Sequence, residues 1–141
     1  METTNQINTT ATSAELVHQM SQLLDEENSG GEMWKGRAIA LFAGLTKALA
    51  YLRDRGELQL SQTTYIEHLD LAAIEGLVYG HDGKYGEDFE AASQDLRKQI
   101  ELIPGYDNSY QSQETQPQQV LEQFGFLTNM IKRTIGSLEF N

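Results

Sequence analysis

The residues best suited to chemistry are spread along this chain without the spacing that catalysis or metal binding requires. His18, His68 and His81 form neither an HExxH motif nor another paired ligand spacing, and the chain contains no cysteine. A GxSxG motif, which would mark a nucleophilic serine, is also missing. The sequence therefore predicts that this chain is not itself an enzyme and holds no metal or other cofactor.

The glycine-rich stretch over residues 80–86 contains a Gly-Lys pair at Gly83 and Lys84. A phosphate-binding P-loop needs the pattern GxxxxGK[ST], in which backbone N–H groups surround the phosphate and a hydroxyl meets magnesium. Here Val78 stands where the first glycine belongs, and Tyr85 stands where the hydroxyl residue belongs. The stretch is predicted to be a loop between helices, and we expect the chain neither to bind nor to hydrolyse ATP.

Three tyrosines near polar loops are the candidate contacts with a partner. Tyr85 lies in the glycine-rich loop, and Tyr106 and Tyr110 lie in the polar stretch that follows Pro104. Binding residues are often carried by loops on a rigid scaffold, and tyrosine supplies a large contact area with few rotatable bonds. We predict that Tyr85 or Tyr110 touches a partner. For Tyr106 the sequence favours packing beneath the corner at Pro104, with a partner contact as the alternative.

The composition favours an all-α protein that does not bind nucleic acid strongly. The 141 residues include only two prolines, and the formal net charge is −11. A non-specific DNA binder usually carries a basic face, so this acidic balance argues against direct DNA binding. No signal-peptide pattern follows Met1, and no apolar run reaches the roughly 18 residues of a membrane span. We expect no membrane contact by this segment.

A broadly apolar segment over residues 33–55 predicts the central helix of a compact multi-helix bundle. Apolar residues at helical spacing cover well over half of its circumference, as expected for a helix that is packed on several sides. Its cations are expected to be internal and neutralised by acidic neighbours, with Arg37 paired to at least one acidic residue, of which Glu122 is the first candidate. The residues predicted for the structural core are Trp34, Arg37, Leu41, Leu45 and Phe124.

Shorter amphipathic helices are predicted around the central one. Capping residues mark the starts of three of them, at Thr12, Ser61 and Asp70. Another begins at Glu87 or Asp88, and the last begins near Pro117. Gly125 and Gly136 weaken the last helix and are expected at a close approach to another helix, with a functional hinge as the alternative. Residues 1–11 are predicted to be a flexible arm, and residues 12–141 a single all-helical domain.

Three stretches of the chain, 31–61, 103–106 and 120–138, resemble the all-α domain of type IV secretion coupling proteins, the TraG/TraD-like ATPases. The similarity is greatest to the Dot/Icm and IncI-plasmid branch and extends over about residues 12–140. The matching residues are Met33, Trp34, Gly36, Arg37, Ala38, Pro104, Gly105, Tyr106, Glu122, Gln123, Gly125, Gly136, Ser137 and Leu138. Ile103 departs from the pattern, which has leucine there.

This resemblance implies a function in conjugation or protein translocation. Such proteins are hexameric, membrane-anchored motors that deliver DNA or protein substrates to a secretion channel. Their helical domain is an insertion in the motor domain, on its cytoplasmic side, where it helps to receive cargo. The resemblance implies that this chain is such an insertion, in the cytosolic part of an inner-membrane-anchored protein. Its partners would be protein cargo, adaptor or relaxosome components and other motor subunits. ATP hydrolysis does not carry over, because the residues that perform it are absent from this chain.

Two other functions stay open at this level. The chain could be a free-standing acidic adaptor or secretion chaperone whose helices hold a partner peptide. It could also be a small DNA-binding regulator, with the two short helices that begin at Ser61 and Asp70 as a helix-turn-helix. Glu67, Asp70 and Glu75 would make either recognition helix acidic, which argues against the regulator. A Walker A motif upstream in the same reading frame would separate the coupling protein from the adaptor.

Overall fold

Six α-helices and one pair of short β-strands make up the described part of this computed structural model, residues 6–27, 32–80, 84–107 and 116–140. In chain order they are β1 (Gln6–Ile7), α1 (Ser13–Glu27), α2 (Glu32–Asp54), α3 (Gln62–Glu67), α4 (Leu71–Tyr79), α5 (Glu87–Glu101), α6 (Gln118–Gly136) and β2 (Glu139–Phe140). The predicted all-α class is confirmed.

Helix α2 is the centre of the bundle, as its apolar circumference predicts. It packs most extensively against α5 and also contacts α1 and α6. Leu45, Ala48 and Leu49 on α2 are fully buried, because neighbouring helices cover this stretch on several sides. The burial of these side chains removes apolar surface from water and supplies the main driving force for folding.

Local capping interactions fix where three of the helices begin. At α1 the Thr12 hydroxyl accepts a hydrogen bond from the Glu15 N–H at 3.2 Å, while the Thr12 N–H donates to the Glu15 carboxylate at 3.4 Å. The Ser61 hydroxyl accepts from the Thr64 N–H at the start of α3, and the Asp70 carboxylate caps α4. These are the capping residues predicted from the sequence, and each satisfies an N–H group that has no partner within its helix.

A close approach between two helices occurs at Gly44 of α2. A Cβ built on this glycine would lie 2.7 Å from the backbone nitrogen of Leu96 on α5. The prediction that Gly125 and Gly136 mark such an approach is wrong, because a Cβ at either position would meet no heavy atom of the described residues within 4 Å. Helix α6 meets its neighbours through larger side chains, and the glycine contact belongs to α2.

The start of the described chain is part of the folded structure. Strand β1 pairs in parallel with β2, and Ile7 is buried in the core at 2% exposure. The Arg53 guanidinium donates hydrogen bonds to the carbonyl oxygens of Thr9 and Ala11 at 2.8 and 2.7 Å. Over residues 6–11 the structure therefore differs from the predicted flexible arm, because partners distant in sequence hold this segment. Residues 1–5 lie outside the described residues.

Candidate binding surface

Tyr85 packs against the start of α5 and is less exposed than predicted, while its predicted contact with a partner stays a prediction. It is half-buried, and its ring meets the Phe89 ring edge to face with centroids 5.0 Å apart. Its carbonyl oxygen accepts a hydrogen bond from the Arg55 guanidinium. Tyr85 thus belongs to the packing that joins α2 to α5. Tyr110, the other tyrosine predicted to touch a partner, lies outside the described residues.

Tyr106 takes part in a buried polar network, in line with the packing role that the sequence favours. Its hydroxyl donates to a carboxylate oxygen of Glu75 at 2.6 Å, and the Gln116 amide donates to the same oxygen at 3.1 Å. Glu75 lies on α4 and is only 5% exposed. Burial raises the pKa of Tyr106 well above its ordinary value, and the hydrogen bond to Glu75 adds to the rise. The phenol therefore stays neutral and remains a hydrogen-bond donor.

The same network joins Asp107 and Gln116, which flank the segment 108–115. The Gln116 side chain accepts from the Asp107 N–H at 2.8 Å and donates to the Asp107 carbonyl at 2.9 Å. On the neighbouring helices the Tyr79 hydroxyl donates to Glu101 at 2.7 Å, and burial raises the pKa of Tyr79 to about 12. Residues 107 and 116 are therefore held together and fastened to α4.

The Tyr106→Phe substitution should destabilise the protein by about 1–3 kcal/mol, because the buried Glu75 carboxylate loses its shorter hydrogen bond while the aromatic packing is kept. Urea unfolding followed by circular dichroism measures this loss. Tyr85→Phe is the matched control, since the Tyr85 hydroxyl makes no hydrogen bond within the described residues. Equal stability of the two variants would show that the Tyr106–Glu75 contact contributes nothing.

Of the residues predicted for the core, three are buried and two lie at its edge. Leu41, Leu45 and Phe124 are buried. Trp34 and Arg37 are only half-buried, because the first turns of α2 are not enclosed on every side. The predicted ion pair between Arg37 and Glu122 does not form among the described residues, since the Arg37 guanidinium instead lies over the Trp34 ring, 5.3 Å from its centroid.

Trp34 belongs to a cluster of large side chains that are open to solvent. Its ring meets Phe126 of α6 edge to face, with centroids 4.9 Å apart. Phe126 is 51% exposed and Met33 is 66% exposed. We call the set of Met33, Trp34, Arg37 and Phe126 the Trp34 surface. Grouped exposed apolar residues are typical of interaction sites, whereas single exposed apolar residues are common on any protein.

Phe126 was missed in the sequence reasoning, although a signal for it exists. The buried stripe of α6 includes Val120, Phe124, Leu127 and Ile131. Phe126 lies off this stripe, where a polar residue would be expected on a helix with one buried face. An aromatic residue on the polar side of an amphipathic helix is the pattern that could have identified this position.

The basic edge of α2 is neutralised less by carboxylates than predicted. Lys47 lies 3.4 Å from Asp95 in an exposed ion pair. Arg53 also approaches the carboxylate of its neighbour Asp54, but it and Arg55 donate to backbone carbonyls of the N-terminal segment and of Tyr85. These cations fasten chain segments to α2 and do not form a free basic patch.

Neither a cluster of metal-ligating side chains nor a helix that could span a membrane occurs in the part of the chain that the structure describes. No three His, Asp or Glu side chains come together there in a way that could hold a metal ion. Within the same ranges no helix has both the length and the apolar character needed to cross a membrane. The ring of His68 is engaged with the Thr64 carbonyl at 2.8 Å.

Together these features define a class of protein: an all-α domain that presents an exposed aromatic surface on a packed bundle. The chain is similar to the type 4 coupling protein DotL of Legionella pneumophila subsp. pneumophila, with 34% identity over 120 residues. The match covers 79% of this chain and 15% of DotL, so the chain spans less than a sixth of that relative. No protein-family model matches the chain. The resemblance to type IV coupling proteins is confirmed: most of this chain is similar in sequence to a segment of such a protein.

Proposed function

We propose that this chain is a cargo-recognition domain of a type IV secretion coupling protein. It would be a helical insertion of the motor, facing the cytoplasm, and would bind protein cargo, adaptors or relaxosome components. The observation that carries the proposal is the Trp34 surface, in a chain related to a coupling protein. A domain that binds macromolecules needs an exposed surface with anchoring side chains, and this one has such a surface.

The chemistry of the Trp34 surface suits protein recognition. Aromatic residues, methionine and arginine are the types enriched in protein–protein interfaces, and tryptophan and arginine often contribute most of the binding energy. All four residues of the Trp34 surface belong to these types. The bundle beneath them is closely packed, so little conformational entropy is lost when a partner binds. A protein partner is favoured over DNA because the net charge of −11 repels phosphate.

The experiment that tests this function is competition in the cell that encodes the chain. The isolated 141-residue chain, produced in excess, should occupy cargo and reduce the transfer of a reporter-tagged substrate severalfold. The double substitution Met33→Ser, Phe126→Ser should abolish this inhibition, because it removes the two most exposed anchors. Ile66→Ser is the matched control, since Ile66 is also exposed, at 38%, but lies on α3 outside the Trp34 surface.

The outcomes separate the proposal from the adaptor. Undiminished transfer with the wild-type chain in excess would contradict cargo recognition. If the reading frame that encodes the chain is deleted, and the chain supplied separately restores transfer, the chain is a free-standing adaptor or chaperone. Tyr110 stays a predicted partner contact, which Tyr110→Ala in the same competition assay addresses.

A further inference from the structure

Two glycines lie within the helices at the Trp34 surface. Gly36 lies one turn after Met33 on the exposed side of α2, and Gly125 directly precedes Phe126 on α6. Glycine weakens a helix interior relative to alanine, and its usual compensation is a close approach of another backbone. Gly44 has that compensation inside the bundle. At Gly36 and Gly125 a Cβ would meet no heavy atom of the described residues within 4 Å, so the space beside them is open.

Cations adjoin the apolar residues of this surface. The Arg37 guanidinium lies over the Trp34 ring and makes no ion pair with any carboxylate in the described ranges. Arg133 is exposed two turns after Phe126, on the same side of α6. Glu122, one turn before Phe126, accepts a hydrogen bond from the Gln118 amide at 3.4 Å. Of the three charged residues Arg37, Arg133 and Glu122, two are cations and the carboxylate already accepts a hydrogen bond, whereas the chain as a whole is acidic.

We propose that the Trp34 surface binds a helix of a partner protein that carries carboxylates beside apolar side chains. Met33, Gly36 and Arg37 lie at positions i, i+3 and i+4, so they share one face of α2 and form a strip along which a helix can lie. The partner's apolar groups would cover Met33 and Phe126, its backbone would approach at Gly36, and a carboxylate would pair with Arg37.

Charge decides between an acidic partner and a second copy of this chain. A symmetric contact between two copies would place Arg37 near the Arg37 of the second copy, so that like charges would face each other. An acidic helix places a carboxylate there instead. At physiological ionic strength charges beyond about 8 Å are largely screened, so the local cations outweigh the net charge of the chain. This inference rests on the proposed function, since it names the partner chemistry of the same surface.

The test uses the fluorescence of Trp34, which is the only tryptophan in the chain and therefore reports on this surface alone. The probes are synthetic amphipathic peptides of about 20 residues, long enough to form a helix, with leucines at i, i+3 and i+4 spacing. One peptide carries glutamate beside the leucines, the second glutamine and the third lysine. We expect the glutamate peptide to shift Trp34 emission to shorter wavelength and to bind about tenfold more tightly than the glutamine peptide.

Variants of the chain connect the affinity to the residues named. Arg37→Gln should make the glutamate and glutamine peptides bind equally, whereas Ile66→Ser should leave their ratio unchanged. Gly36→Leu should weaken every peptide without unfolding the chain, because its side chain would occupy the space left for the partner backbone. Circular dichroism of each variant confirms that the helices are intact.

Several results would overturn the proposal. These are equal affinity of the three peptides, calorimetric binding without a change in Trp34 emission, and no binding at peptide concentrations of about 1 mM. An emission shift that depends on protein concentration without peptide would identify a second copy as the occupant. If the chain still inhibits transfer in the cell while any of these results holds, cargo recognition stands and only the partner chemistry assigned here fails.

Discussion

Phe89→Ala should destabilise the protein by about 3–5 kcal/mol, the usual range for deletion of a large buried aromatic side chain. Phe89 is 0% exposed and lies on α5 between two other rings, 5.8 Å from the Tyr51 centroid and 5.0 Å from the Tyr85 centroid. Its loss would leave a cavity where α2, α5 and the residues before α5 meet. Urea unfolding followed by circular dichroism measures the change in the free energy of unfolding.

Phe126→Ala is the control for this prediction, because it removes the same side chain from a half-exposed position. We expect it to cost no more than about 1 kcal/mol, mainly from the lost edge contact with Trp34. Similar losses at Phe89 and Phe126 would contradict the assignment of one to the core and the other to a binding surface. The same reasoning lowers the expected cost of Trp34→Ala below the range for a fully buried aromatic.

Gly44→Ala should be strongly destabilising, although alanine is the better helix former. The new Cβ would lie 2.7 Å from the backbone nitrogen and 2.8 Å from the Cα of Leu96, so α5 itself would have to move. Overpacking of this kind costs about 1–3 kcal/mol, and more where rigid backbone must shift. We expect a net loss of about 2–3 kcal/mol, measured by thermal unfolding at two or more protein concentrations.

Gly36→Ala makes the same chemical change on the same helix in open space. It should stabilise the protein by about 0.5–1 kcal/mol, because alanine restricts the unfolded chain and no atom of the described residues stands in its way. The free energies of unfolding of the two variants should therefore differ by about 3 kcal/mol, with Gly36→Ala the more stable. If Gly44→Ala were also stabilising, the close contact between α2 and α5 would not exist in solution.

The binding surface was only partly predictable from the sequence. The segment with Met33, Trp34 and Arg37 was singled out, but it was assigned to the core because a tryptophan beside an apolar stripe is usually buried. Phe126 was overlooked because the apolar spacing of α6 draws attention to its other face. Exposure of Tyr85 is expected because it lies in a glycine-rich loop, yet its ring packs against Phe89. In each case the prediction and the structure differ in which neighbouring residues cover the side chain.

The sequence by itself determined the all-α class, the central position of α2 and the starts of several helices. These properties depend on residues within about four positions of each other, such as the Thr12–Glu15 capping pair and the periodicity of apolar residues. Only the tertiary structure decided that Gly44 lies at a close contact between α2 and α5, that Arg53 holds the segment at Thr9, and that Trp34 and Phe126 meet at the surface. Those contacts join residues that are 44 to 92 positions apart, and no local pattern specifies them because they depend on how whole helices pack.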